Sequence, residues 1–392
     1  MVLAKVLQLS RSTGRWSAQS MELGYLMGKT HRLSCIVFLP KSTYPNNLAE
    51  RGKLLQYFDV PKLVCTDMAD RCNGYFGGRE DYDETGTTKS YTIWFRCLVK
   101  ATSGFPPTYT WYEMTFLSIW EPDCYMLLCI DTPNEFREEL QHSLEREQKL
   151  DLQDPFAFFL PLMDQIITLY DHSVWGIRDL IRQVEKTRED HLAIDTDFSQ
   201  LHEISRHATH SKETLSVTAD SMDAMRQCHL NFHQLTNNGR WLATQQQISF
   251  QGQLICNLKL RAQANQERLQ SEITLAYNRI TQRDSKVMLD ISSATKSDSK
   301  AMKTVALVTM VFLPATFTSA VFSMSFFNFS PETDKWTVSS KFWLYWIVAI
   351  PLTGLTMLFW LFFLRETGAR RISAAVRVWE WRRRQHTQVG KA

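Results

Sequence analysis

Two stretches of this chain contain no acidic or basic residue: Thr304–Phe327, 24 residues long, and Phe342–Leu364, 23 residues long. A helix that crosses hydrocarbon needs about 20 mostly apolar residues, so each stretch predicts a transmembrane helix. The intervening residues 328–341 predict a short external loop. Upstream, residues 1–75 give a weak pattern, with short strands expected at Ile36–Leu39 and Lys62–Cys65. Gly74–Lys89, rich in Gly, Asp, Glu and Thr, reads as a loop. Tyr91–Val99, Tyr112–Trp120 and Tyr125–Ile130 are aromatic and β-branched runs bounded by turn residues, which predicts strands.

From Asn134 onward the apolar spacing becomes helical. Phe158–Glu185 and Leu201–Leu235 each predict a helix, and a third runs from about Trp241 into the first uncharged stretch. In this third helix Ile273, Ile280, Val287, Ala294 and Ala301 recur every seven residues. Tyr277, Asp284, Ile291 and Asp298 form a second series four positions on. Such a repeat marks a helix wrapped on partner helices. No turn signal separates Ala301 from the span, so stalk and span read as one helix; residues 253–327 alone would measure about 110 Å. Several copies around an axis would give so long a helix its partners.

The expected fold is an α/β cytoplasmic domain with a long helical stalk and two C-terminal transmembrane helices, mainly α overall. The expected divisions are a sheet-containing part (1–133), a helical part (134–240), the stalk (241–303), a first span (304–327), the loop (328–341), a second span (342–364) and a basic tail (365–392). The averages conceal this: mean hydropathy is −0.25 and 22% of residues are charged. The organisation excludes a purely soluble enzyme, a multi-span carrier and a secreted domain. The N-terminus is interrupted by Arg11 and Arg15 too soon for a secretory signal. The eight cysteines include no Cys-x-x-Cys pair and read as reduced thiols.

Net charge is +3. Lys296, Lys300 and Lys303 precede the first span, and Arg365, Arg370 and Arg371 follow the second, which predicts cytoplasmic termini. The basic tail suits anionic lipid rather than nucleic acid. On the first span, steps of three and four give one uncharged face: Ser299, Met302, Ala306, Thr309, Leu313, Thr316, Ala320 and Ser323. Around an axis this face would line a narrow pore; alternatively its small residues serve close helix packing in lipid. The second span, with Trp343, Trp346 and Trp360, reads as lipid-facing. His229 and His233 have the spacing of a helical metal pair but lack the glutamate of His-Glu-x-x-His. His202, His207 and His210 read as an exposed helical face. No catalytic signature is present, so an enzyme is not expected, nor is an organic cofactor.

Met302-Lys303, Phe312-Leu-Pro-Ala-Thr-Phe317, Phe322-Ser-Met324 and the loop pair Pro331-Glu332, followed by a second span and a basic end, resemble the CorA-type magnesium channel family over about residues 285–370. The resemblance implies a homo-oligomer, five copies being the family's number, and Mg2+ both conducted and regulatory. In the family the first span ends in Gly-Met-Asn, whose asparagine receives the hydrated cation; this chain has Ser323-Met324-Ser325. The expected pore mouth is therefore Ser323, Met324, Ser325, Asn328 (should the helix continue) and Glu332, with Asp334 nearby. Asp284 and Asp298, with Asp290 behind them, are candidate regulatory metal ligands between copies. The expected partners are self, divalent cations and the lipid bilayer, with the plasma membrane as location and no nucleic acid. The expected function is magnesium uptake driven by the membrane potential. The alternatives are another divalent cation such as zinc, or a non-conducting membrane scaffold.

Overall fold

The computed structural model describes residues 3–10, 14–24, 34–41, 52, 55–104, 107–122, 124–146, 151–187, 198–233, 241–330, 335–362 and 365. The chain forms two compact units, Met1–Arg279 and Ile280–Ala392.

The first unit is built on a seven-stranded sheet of β1 (Leu3–Leu9), β2 (Trp16–Glu22), β3 (Cys35–Leu39), β4 (Gly74–Tyr82), β5 (Thr88–Ser103), β6 (Thr108–Glu121) and β7 (Cys124–Ile130). The spatial order is β2-β1-β3-β7-β6-β5-β4. β3 and β7 run parallel, while the other described pairs are antiparallel. Side chains alternate between faces. Ile36, Phe38, Phe95, Phe116 and Leu127 meet the helices, whereas Cys35, Val37, Leu39, Leu117 and Leu128 pack under Leu55 and Phe58.

The helical layer comprises α2 (Phe136–Arg146), α3 (Phe159–Thr187), α4 (Phe198–His233) and the first part of α5 (Trp241–Phe326); the short α1 is Asp67–Arg71. Polar side chains bolt these helices together. Gln251 Nε2 donates to Leu160 O (2.8 Å) and Asp164 Oδ1 (2.7 Å), and Asn265 Nδ2 donates to Val174 O (3.1 Å). The buried His229 imidazole lies between Gln245 Oε1 (2.5 Å) and Asp154 Oδ2 (2.9 Å). A further layer, Ile177 and Ile181 on α3, Ile204 and Ala208 on α4, and Leu269, Ile273 and Ala276 on α5, closes the packing.

Gly74–Tyr82, expected as loop, is an edge strand. Its glycines admit the rings of β5: a Cβ at Gly77 would stand 2.5 Å from the Trp94 indole, and one at Gly78 2.9 Å from the Tyr91 ring. The hairpin turns where Asp83 Oδ1 accepts the Thr85 and Thr87 amides at 2.8 and 2.9 Å, with Gly86 at φ +79°. These hydrogen bonds, the Thr85 and Thr87 hydroxyls first, hold the Asp83 carboxyl below its ordinary range. Lys62–Cys65, expected as a strand, is a 3-10 turn behind Pro61, whose missing amide suits a helical start.

The second unit contains the remainder of α5, a two-stranded ladder of β8 (Phe327–Ser330) and β9 (Lys335–Val338), and α6 (Trp343–Phe362). Both α5 and α6 contain a stretch long and apolar enough to cross a membrane. α5 runs through Pro314 without breaking.

Replacing His229 with leucine should lower stability by about 3 kcal/mol, because it removes the group that Asp154 and Gln245 share in a buried setting. Denaturant titration of the detergent-solubilised chain measures this. Added zinc or a chelator should not move the wild-type midpoint, since both ring nitrogens are already engaged.

Candidate functional site

The site is built on the upper part of α5, where the described residues become exposed. Ile273, the first member of the seven-residue series, is buried against α3 and α4 of the same chain. Tyr277, four residues on, touches Phe198 on α4, ring centroids 4.8 Å apart. The lower end of the series thus meets partner helices of its own chain. From Tyr277 to Thr309 every residue is exposed. Ile280, Val287 and Ile291 stand 42%, 48% and 61% exposed, values found at ordinary surfaces only for isolated apolar residues.

Helical register sorts the upper helix into faces at about 100° per residue. One face meets α6. Pro314 and Thr318 are buried, and Met310, Val311 and Ala315 are half-buried. The Tyr345 hydroxyl on α6 donates to Ala315 O at 3.3 Å. On α6 the less exposed positions Tyr345, Ala349, Thr353, Thr356 and Trp360 share a stripe. Lys296, Lys300 and Lys303 lie on the same side of α5 as this contact, by register. The expected pore face, Ser299, Met302, Ala306, Thr309, Leu313, Thr316 and Ala320, lies roughly 150° around the helix from it. All seven are exposed and none is charged.

The hydroxyls of this face have a defined polarity. Thr309 Oγ1 donates to Val305 O at 2.9 Å, and Thr316 Oγ1 has Phe312 O at 2.9 Å and Leu313 O at 3.0 Å. A threonine hydroxyl has one hydrogen and two lone pairs. With the hydrogen directed to the backbone, the lone pairs remain to accept. The face therefore presents acceptors without a fixed charge.

The other expected residues fall as follows. Ser323, Met324 and Ser325 lie in the last turns of α5, which ends at Phe326. The helix does not continue to Asn328, which is in β8 and pairs with Thr337. Glu332 and Asp334 lie outside the described residues, as does the basic tail beyond Arg365. Asp284 and Asp298 are both exposed. Fourteen residues separate them, about 21 Å along a helix, so one copy cannot bring them to one ion. Among the described residues no group of three or more His, Cys, Asp or Glu side chains is placed to hold a metal.

Of the three histidines expected on an exposed face, His202 is exposed, His210 is half-buried and His207 is buried; His229 is a core tie. The β8–β9 ladder was not legible in sequence, because strands of four residues carry almost no periodicity.

Comparison with known proteins adds the following. The sequence pattern described as CorA-like Mg2+ transporter protein matches residues 112–366, more than half of the chain. The Notoamide biosynthesis cluster protein M' of Aspergillus versicolor is 33% identical over 244 residues, covering 57% of this chain and 51% of that protein. The chain thus spans about half the length of this curated relative. Among solved structures, full-length CmaX covers 93% of this chain and 97% of its own at 14% identity and TM-score 0.48. The complete CorA magnesium transporter from Methanocaldococcus jannaschii covers 92% and 97% at 12% identity and TM-score 0.44. The ZntB cytoplasmic domain from Vibrio parahaemolyticus RIMD 2210633 covers 72% and 100% at 8% identity and TM-score 0.45.

An exposed apolar seam predicts contact between copies. Ile291→Cys should form disulfide-linked chains under mild oxidation in membranes. Leu289→Cys, about 160° away on the same turn, should not exceed the unsubstituted chain. Equal cross-linking at both positions would show that the seam is not the contact.

Proposed function

We propose, from the premise that this chain belongs to the family of CorA-like Mg2+ transporter proteins, that it conducts divalent cations, magnesium first, across a membrane. The observation that carries this reading is the uncharged, hydroxyl-bearing face of α5, turned away from α6 and from Lys296, Lys300 and Lys303. Copies packed through the Ile280–Ile291 seam would bring that face to a common axis, with α6 outside. Five copies is the number we adopt from the family.

The chemistry suits a hydrated cation. Magnesium sheds water reluctantly and prefers oxygen. The waters around it point their hydrogens outward, and the lone pairs of Thr309 and Thr316 are placed to accept them. An anion's hydration shell points its oxygens outward and would find no donors on these two side chains. Without fixed charge the span holds the ion weakly enough to release it. The membrane potential supplies about 2.3 kcal/mol per unit charge per 100 mV. Both termini would be cytoplasmic, on the strength of the lysines before the first span and the basic residues after the second.

Ser323 and Ser325, in place of glycine and asparagine at the end of the span, favour a second reading in which the preferred ion is zinc. A hydroxyl is shorter than an amide and changes what the mouth can hold.

The test is the purified full chain in liposomes with an ion-sensitive dye inside and a negative internal potential. Magnesium influx is expected, and Thr316→Leu should reduce it at least tenfold by replacing an acceptor with a bulky apolar group at the axis. Zinc influx without magnesium influx would select the second reading. An assembled protein that passes no divalent ion would overturn both and identify a membrane scaffold.

A further inference from the structure

In the first unit, the tip of the β5–β6 hairpin rests on α3 and α4 through an unusual group. Lys100 is on β5, yet its residue is only 2% exposed. Its Nζ lies 4.4 Å from the Tyr109 ring centroid and 4.9 Å from that of Trp111, both on β6. It also lies 3.0 Å from His210 Nδ1 on α4. The Lys100 carbonyl accepts from Ser173 Oγ on α3 at 2.6 Å. One turn away, Gly176 lets α3 come so close that a Cβ there would stand 3.0 Å from the Thr102 carbonyl.

Beside the lysine is His207, 1% exposed, with its ring 5.2 Å from Tyr109. Its Nδ1 is buried and has no hydrogen-bond partner among the described residues. A buried orphan nitrogen costs stability, and the site adds a second basic ring, His210, packed 5.5 Å from Trp111. Among the described residues, the charged groups acting on the cluster are on α4: Glu203 and Arg206, paired with each other, and Glu213, which accepts from Asn73 at 2.7 Å.

We propose that Lys100, His207 and His210 form a proton-binding site whose occupancy sets how firmly the β5–β6 hairpin tip is docked on α3 and α4. The orphan nitrogen of His207 and the Nδ1 of His210 are the acceptors. When docked, a proton on either ring stands beside a buried ammonium that the cage already holds. Acid therefore favours release of the tip, where water solvates all three cations. The order of basicities agrees. Burial first, then the Lys100 charge, pushes His207 down to about 4 and lowers His210. Burial, then Arg206, pushes Lys100 down to about 8, against the opposing pull of Glu203.

The sign follows from linkage. Release of the tip returns the α4 histidines to about 6.5, so between about 6.5 and 4 the released state binds more protons than the docked one. Docking weakens as pH falls through that window. The same linkage at Lys100 strengthens docking as pH rises from about 8 to 10.5. The site also adjoins the hold on α5: Ile204 and Ala208, which flank His207 on α4, pack in one layer with Leu269 and Ile273. The inference does not depend on the transport reading.

Hydrogen exchange of the full chain in detergent, read by mass spectrometry at pH 7 and pH 5 and corrected for intrinsic rates, tests it. Peptides covering Lys100–Trp111 should open about tenfold more readily at pH 5, while those of Phe116–Ile130 should not change. His207→Gln and His210→Gln should together remove most of the response. Lys100→Met, which removes the resident cation, should shrink it independently and serves if the histidine variants fail to fold. An unchanged tip in the wild type, or a full response in Lys100→Met, would overturn the proposal.

Discussion

The structure depends on how one helix is held at one end and left uncovered at the other. α5 begins inside the core, where Ile248, Ile255 and Leu258 pack on the sheet side and Gln251 and Asn265 hook backbone carbonyls of α3. Each hook satisfies a buried carbonyl or carboxylate that would otherwise be costly to desolvate. The hooks fix the rotation of α5 about its own axis. The helix runs without a break to Phe326. Among the described residues, Tyr277 to Thr309 of α5 are all exposed, and burial resumes at Met310 and Pro314. A long apolar seam facing water is unfavourable, so the same geometry that positions the face also calls for other helices beside it.

The membrane part of this arrangement was legible in the sequence because it is long and repetitive. Uncharged runs of 24 and 23 residues and a seven-residue series sustained from Ile273 to Ala301 leave few alternatives. The ownership of the seam was not legible: a heptad position says that a residue meets a helix, not whose. Ile273 meets α3 and α4 of its own chain, while Ile280 is exposed. β4 was hidden for a different reason. Its glycines and acids read as loop locally, and the cause of the glycines lies across the ladder in Trp94 and Tyr91. His229 and His207 were hidden likewise, since Asp154 and Tyr109, which make sense of their burial, are 75 and 98 positions away.

At the face itself the deciding detail is the direction of a hydrogen. Thr309 and Thr316 direct their hydroxyl hydrogens to carbonyls of the preceding turn, a common arrangement in apolar helices. In lipid it merely satisfies the hydroxyl. On an axis it converts each threonine into an acceptor aimed at water. The two readings of the small-residue face, packing and conduction, thus predict the same hydrogen bonds and differ in what lies beyond the lone pairs.

Water access along α5 separates them most directly. Thr309→Cys and Thr316→Cys, with Leu307→Cys as a control on the α6 side, would be exposed in membranes to a charged, water-soluble thiol reagent and scored against the unsubstituted chain. Conduction along this face predicts modification at 309 and 316, slowed by magnesium, and none above background at 307. Modification at 307 with 309 and 316 protected would contradict it.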